Sequence, residues 1–575
     1  MRNIKTYLCI LTLVFIAISC KKAAVNEDVA AITDTIPVLI LDTNNTQHIS
    51  VLTQHNDNTR AGLNDQETVL TVDNVNMAKF HRLFTLSVDD EVIAQPLVVG
   101  NLPTSFGKKN VVFVATVSNT VYAFDGDNGR KYWQKNYTVK GMRTPIASDM
   151  ASNWCTPYTN ITYNIGIVGT PVIDSSTKTM YFVSRSTNGK NFFQYLHAID
   201  ITNGNEQANS PMEITATTAG SGDGSIGNVV AFDPLRGNQR QGLALVNGVV
   251  YISYASHCDW NPFHGWILGY DAKSLNQKIV YNNTPDGEEG GLWQSGMGIA
   301  ADDKGNLYVT SGNGTVGKAA TYLKTGSGTA ETKESPDPTD PIGRSESAVK
   351  LTPSGNTLKV ASYFTPSNYV TLNLNDLDYG VMGTFLIPNS NYYFTGCKDG
   401  NLFLLDRDNM GGFSKTGNNI QQTVPTNGNA NMHCQPAYFK GVNSEYVYVW
   451  SENDKLRALP FNRTTNKFDN NQMTSNVAGP TNQSGAVLSV SSNAGKDGTG
   501  IVWAAFAKTG DAENYSCPGI LRAFDANNIS KELWNSDQTS GDAPGYYAKF
   551  SAPTIANGHV YLASFSRQVV VYGLR

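Results

Sequence analysis

The chain has 575 residues, including 52 Gly and 27 Tyr, and only 16% are charged, against about 25% in ordinary globular proteins. A formal net charge of −5 argues against nucleic acid as a partner, because neutralising phosphates needs a basic face. The 40% hydrophobic content excludes a disordered chain and is ample for a folded core.

Arg2 and Lys5 precede an apolar run from Tyr7 to Ile18, and the run ends in Ile18-Ser19-Cys20. A basic start, a short apolar stretch and a small residue before cysteine resemble a bacterial lipoprotein signal. Residues 1–19 are then a signal peptide, and Cys20 is the lipidation site. The run is shorter than the roughly 20 residues a membrane span needs, and no second run of that length follows, so lipid is the only membrane tether. Residues 20–50 read as a flexible tether. The expected location is the outer membrane, on its periplasmic face or at the cell surface, and a monomer is expected. Five further cysteines, Cys155, Cys258, Cys397, Cys434 and Cys517, stand too far apart for a CxxC, zinc-ribbon or haem motif. Export permits disulfides, and spacing assigns none.

A repeat fills residues 51–575. Its clearest copy is Asn110-Val-Val-Phe-Val-Ala-Thr-Val followed by Thr120-Val-Tyr-Ala-Phe-Asp125, with Asn128-Gly129 and Tyr132-Trp133 after it. The second element returns as Leu196–Asp200, Ile267–Asp271, Phe403–Asp406, Leu456–Leu459, Leu521–Asp525 and Val569–Tyr572. Each copy follows an innermost strand that begins with proline or a small residue. These starts are Gln95-Pro96, Thr170-Pro171, Gly242-Leu243, Gly296-Met297, Gly380-Val381, Gln435-Pro436, Gly485-Ala486 and Ala552-Pro553. Proline suits the first residue of a strand, where no ladder donor is lost. Eight starts of four-stranded units predict an all-β, eight-bladed β-propeller. The last unit lacks a fourth strand, and Phe80–Val88 is placed to supply it, so that the N-terminal strand closes the ring and removes exposed edges.

The long insertions fall between blades (134–163, 215–240, 282–294) and between second and third strands (256–263, 311–345, 508–518). Both kinds of link open on one face, which is therefore expected to carry the site. The chain contains no HExxH, Walker loop or GxSxG elbow. Gly222-Asp-Gly224-Ser-Ile-Gly227 matches GxGxxG in letters only, because a β-like run and Pro234 follow it instead of a helix. His257, Asp259 and His264 form one loop with metal-ligand residue types, but no further His cluster supports a site, so an ordinary hydrogen-bonded loop is the favoured reading and metal ligation the alternative. Glu288-Glu289, Asp302-Asp303 and Asp337–Asp340 have carboxylates suited to calcium, and solvated turns explain them equally.

The repeat Val-Tyr-Ala-Phe-Asp-x-x-x-Gly then Trp, and the opening Asn56-Asp57-Asn58-Thr-Arg60, resemble the blades of pyrroloquinoline quinone (PQQ) dependent alcohol dehydrogenases. That repeat is shared by non-catalytic propellers, including outer-membrane assembly lipoproteins, so it argues fold before chemistry. Further positions are similar to the catalytic family. Trp293 followed by Ser311-Gly312-Asn313 matches its quinone-stacking tryptophan and calcium-holding asparagine. Asn375-Asp376-Leu377-Asp378-Tyr379 places Asp378 as general base and calcium neighbour. Lys398-Asp-Gly400 before Leu404-Leu405-Asp406-Arg407 places Lys398 at the quinone oxygens. The resemblance thus implies PQQ and calcium, with a flat indole to stack on, oxygen donors for a hard ion and Asp378 taking an alcohol proton. Three expected features are missing: a pair of adjacent cysteines, for which only Cys155 is present, an arginine within 156–160, and a calcium-ligating Glu within 186–190. The implied function is oxidation of an alcohol or sugar. The alternatives are a cofactor-free propeller binding a glycan or protein partner at its long-loop face, and a carbohydrate-active enzyme.

Overall fold

The computed structural model describes residues 47–151, 156–318, 335–426, 431–479 and 484–575. The signal peptide, most of the tether, Cys20 and Cys155 lie outside the described residues. The regular structure of the described chain is nearly all β, arranged as eight four-stranded blades. The innermost strands are Leu97–Thr104, Val172–Asp174, Ala244–Val246, Ala300–Ala301, Phe385–Leu386, Ala437–Lys440, Val487–Ser491 and Thr554–Ala556. Six begin directly after the proline or small-residue signal read from sequence. In blades 4 and 5 the hydrogen-bonded strand starts a few residues later. Among the described residues no helix is long and apolar enough to cross a membrane.

Side-chain alternation explains why blades need neighbours on both sides. Successive residues of a strand point to opposite faces. On the third strand of blade 1, Val121 and Ala123 enter the cluster shared with blade 2, while Tyr122 and Phe124 enter the one shared with blade 8. Each of the eight interfaces has its own hydrophobic cluster of this kind. There is no single central core.

The ring closes as the sequence predicts. Phe80–Ser87 pairs antiparallel with Gln568–Leu574 as the outermost strand of blade 8. Phe80 packs 5.3 Å from Trp503 and 5.0 Å from Trp534 of blade 7, centroid to centroid. Leu86 packs into the cluster shared with blade 1. One strand therefore seals both interfaces of the last blade.

The segment 51–64 adds a second closure that runs along the inner strands and touches every blade in turn. Val51 pairs with Val98 of blade 1, and Leu52 O accepts from Ile173 N of blade 2. Asn58 donates through Nδ2 to Leu245 O of blade 3 and accepts at its carbonyl from Ala301 N of blade 4. Thr59 O and Ala61 O accept from Leu386 N and Tyr438 N of blades 5 and 6. Leu63–Asn64 runs parallel to Val490–Ser491 of blade 7, and Asn64 Nδ2 donates to Ile555 O of blade 8. Such a tight circuit needs sharp turns. His55, Asn56 and Arg60 adopt positive φ, as does Gly62, where a Cβ would lie 2.8 Å from the His55 ring.

Arg60 is the hub of this strap. It is fully buried and donates to Ile299 O, Thr53 Oγ1, Gln54 O and Leu243 O at 2.7–3.1 Å. Burial lowers its pKa to about 10, with Asp57 opposing the shift. Removing a buried charged group with several partners costs on the order of 3 kcal/mol or more. Arg60→Ala is therefore expected to lower the urea midpoint of the mature protein substantially. A midpoint matching wild type would show that the strap does not hold the ring.

Candidate functional site

The inter-blade and second-to-third-strand links do carry most of the long segments. They include 137–171, 214–243, 283–299, 311–347 and 536–553, whereas the opposite face is mostly tight turns such as 247–248, 355–356 and 557–558. The exceptions on the opposite face are 201–211, 407–421, 463–472 and 492–500. The long links brace one another across the axis. Tyr158 OH and His257 Nδ1 meet at 2.8 Å, Thr159 Oγ1 donates to Asn514 Oδ1 at 2.9 Å, and Lys549 Nζ donates to Glu513 O at 2.6 Å.

Four sequence-predicted residues come together on this face. Asp378 sits in the link between blades 4 and 5, and Lys398 in the turn after the second strand of blade 5. Lys398 Nζ lies 2.7 Å from Asp378 Oδ2 and 3.2 Å from Asp376 Oδ1. Asn313 donates from its backbone N–H to Asp378 Oδ1 at 2.8 Å and from Nδ2 to Asp376 Oδ1 at 2.8 Å. Gly312 allows this approach, since a Cβ there would lie 2.4 Å from Asp378 Oδ1 and 3.1 Å from Trp293 Cδ1. Burial opposes the charge of Lys398, but Asp378 and Asp376 outweigh it and hold the ammonium protonated well above its usual range. Both oxygens of Asp378 are thus engaged, and using it as a base requires Lys398 to move. Behind it, Glu346 is fully buried and accepts from Tyr379 N at 2.6 Å. Burial and then Asp378 push Glu346 well above the ordinary carboxyl range.

A second group, invisible as a motif, surrounds a pocket at the axis. It is lined by Tyr158, Asn238, Arg240, Glu513, Lys549 and Phe550, among others. The Arg240 guanidinium stands 4.3 Å from the Phe550 ring centroid and 5.5 Å from that of Trp293. Its Nη2 reaches Trp293 O at 3.4 Å, and its buried Nε has no hydrogen-bond partner. These residues come from links far apart in sequence, and each is unremarkable alone, so no spacing could have found them.

The His257–His264 loop is fully engaged by protein. His257 is held between Tyr158 OH and Arg185, and burial followed by Arg185 lowers its pKa strongly. His264 contacts Thr284 Oγ1 through Nδ1 at 3.0 Å and Asp223 O through Nε2 at 2.9 Å. Neither imidazole offers a free nitrogen to a metal. Asp259 reaches the surface of the loop next to Cys258, and burial of its carboxyl followed by the charge of Asp378 raises its pKa to about 7, which sets it beside the Asp378–Lys398 group. Cys258 is disulfide-bonded, while Cys397, Cys434 and Cys517 are free and buried. Asp302 and Asp337 cap turns, accepting from Asn306 N and from Thr339 N.

The fit of quinone and calcium can be judged from this arrangement. Asn313 Oδ1 is buried without a hydrogen-bond partner, which suits an oxygen donor to a cation. Among the described residues, however, no three His, Cys, Asp or Glu side chains converge on a metal position. Arg240 stands where a planar cofactor would stack on Trp293. The residues as arranged do not fit a quinone on that indole.

The fold itself has clear counterparts. The chain superposes on quinohemoprotein alcohol dehydrogenase ADHIIG from Pseudomonas putida HK5 with a TM-score of 0.56 and 13% identity, over 91% of this chain and 80% of that one. The corresponding enzyme of Comamonas testosteroni gives 0.55 and 13%, with the same coverage. A europium-containing methanol dehydrogenase gives 0.53 and 10%, over 92% of this chain and 99% of that one. The architecture is therefore that of the quinoprotein alcohol and methanol dehydrogenases, an eight-bladed propeller. Likeness at this identity defines the fold and leaves the chemistry to the site. No protein-family model and no curated protein matches the sequence.

Among the titrating groups of this face, Glu452 is positioned to report on pH. Glu452 Oε1 lies 3.2 Å from His433 Nδ1, and both residues are buried. Burial, then Glu513, raises Glu452 from its ordinary 4.5 to about 8. Burial followed by Lys398 keeps His433 well below its usual value. The folded chain holds the Glu452 proton through an interval in which the unfolded chain has released it. Stability from this group therefore falls as pH rises from about 4.5 to about 8. Glu452→Gln should make the decline of Tm across that interval shallower than in wild type. Identical slopes would assign the titration to another group.

Proposed function

We propose that this chain is an exported propeller lipoprotein that captures a sugar or glycan ligand at its elaborated face without a bound quinone. The observation that carries this reading is Arg240, whose guanidinium lies against Trp293 and Phe550 at the axis. A second observation supports it. Tyr163 and Tyr515 are 60% and 70% exposed on adjacent loops of this face, and exposed tyrosines supply broad amphipathic surfaces for recognition. Calcium-supplemented PQQ titrated into the mature protein is expected to leave Trp fluorescence unchanged, and no dye reduction should follow with alcohols. A glycan array should give specific capture. Saturable PQQ quenching with alcohol-dependent dye reduction would overturn the reading.

The convergence of Trp293, Asn313, Asp378 and Lys398 favours a second reading, a PQQ- and calcium-dependent oxidoreductase acting on an alcohol or sugar. The same titration separates the two. Product release from a polysaccharide without cofactor would instead indicate a carbohydrate-active enzyme.

Export and anchoring at the outer membrane rest on the Arg2–Cys20 segment. Metabolic labelling with palmitate should mark wild type and not Cys20→Ser. Equal labelling of both would place the anchor elsewhere.

A further inference from the structure

The two cations of the axial pocket keep donor capacity that their protein partners do not use. Arg240 makes one long hydrogen bond, to Trp293 O at 3.4 Å, and its Nε is buried and unpartnered. Lys549 is 7% exposed and donates to the backbone of Glu513. Three carboxyl groups act on Lys549, those of Glu513, Glu91 and Asp511, while burial and then Arg240 lower its own pKa to about 8. Burial pushes Glu513 and Glu91 above their ordinary range, which weakens those two as counter-ions. A guanidinium with free donors beside an ammonium is suited to a carboxylate.

The rest of the lining asks for hydroxyls and a flat apolar face. Asn238 is buried, and its Oδ1 accepts no hydrogen bond. An unsatisfied buried acceptor requires a donor from a ligand or from water. Phe550 and Tyr158 supply apolar ring surface beside it. A fatty acid would leave the Asn238 oxygen unsatisfied, and an amino acid would bring an ammonium against Arg240 and Lys549. At the mouth, the loops bearing Tyr163 and Tyr515 are cross-braced through Thr159–Asn514 and Thr162–Ser516 contacts.

We propose that this pocket is a carboxylate-selective sugar site that takes the uronic-acid end of an acidic glycan. Its carboxylate binds Arg240 and Lys549, a hydroxyl donates to Asn238, and the neighbouring sugar lies against Tyr163 and Tyr515. This rests on the ligand-binding reading above and specifies the class of sugar.

Calorimetry on the mature protein with galacturonate, tri-galacturonate and galactose tests it. The acids are expected to bind, the trimer more tightly than the monomer, and galactose not measurably. Arg240→Gln and Lys549→Gln should each weaken acid binding by about tenfold or more, with Tm near wild type. Tyr515→Ala should weaken the trimer and leave the monomer unchanged. Equal affinity for galactose and galacturonate, or acid binding indifferent to Arg240→Gln and Lys549→Gln, would overturn the proposal. Arg240-independent capture of neutral glycans would overturn it while leaving the ligand-binding reading intact. PQQ binding with no glycan binding would remove both.

Discussion

Everything in this molecule depends on eight hydrophobic seams that cannot exist singly. A blade has two apolar faces, and each face is covered only by the next blade. The stacking must therefore return to its start, or two faces and a sheet edge stay open to water. The chain solves this twice. At the rim, Phe80–Ser87 completes blade 8 and seals the seams on either side of it. At the axis, residues 51–64 hydrogen-bond to the inner strands of all eight blades in sequence. The axial circuit accepts and donates mainly at inner-strand backbone groups, with Asn58, Arg60 and Asn64 contributing side chains.

That circuit also bears on the site. Gln54 of the strap meets Gln435 at 3.4 Å, and Gln435 donates to Ser295 O and to Phe550 O. Phe550 in turn stands against Arg240. Four links from different blades are thus positioned through one short chain of amides. The pocket is built on loops, but the loops are fixed by the axis of the scaffold.

Much of the fold was legible in the sequence, because a propeller repeats its signal. Strand ends in Asp, followed by Gly turns and proline-led inner strands, gave eight blades and the closing strand, with blades 4 and 5 starting slightly late. The Trp293, Asn313, Asp378 and Lys398 group was readable through family resemblance, and the structure brings these residues together. The strap was not readable. Its contacts, backbone bonds together with the side chains of Asn58, Arg60 and Asn64, mostly reach residues more than a hundred positions away and leave no periodic signal. Arg240, Lys549 and Tyr158 were equally silent, since lone residues on long links gain meaning only where the links meet. The metal-type loop at His257 and His264 shows the reverse case. Its residue types suggested ligation, but neighbours that sequence cannot place satisfy both rings.

The strap has a consequence for how the ring is assembled. Residues 51–64 leave the ribosome before any blade, yet their partners include Val490, Ser491 and Ile555, near the end of the chain. Each early blade can find its neighbour as it emerges, while the first segment must wait for the last. Formation of the finished toroid is then a single late locking event, so a chain shortened at its C-terminus loses the anchorage of its N-terminus as well as its final blade.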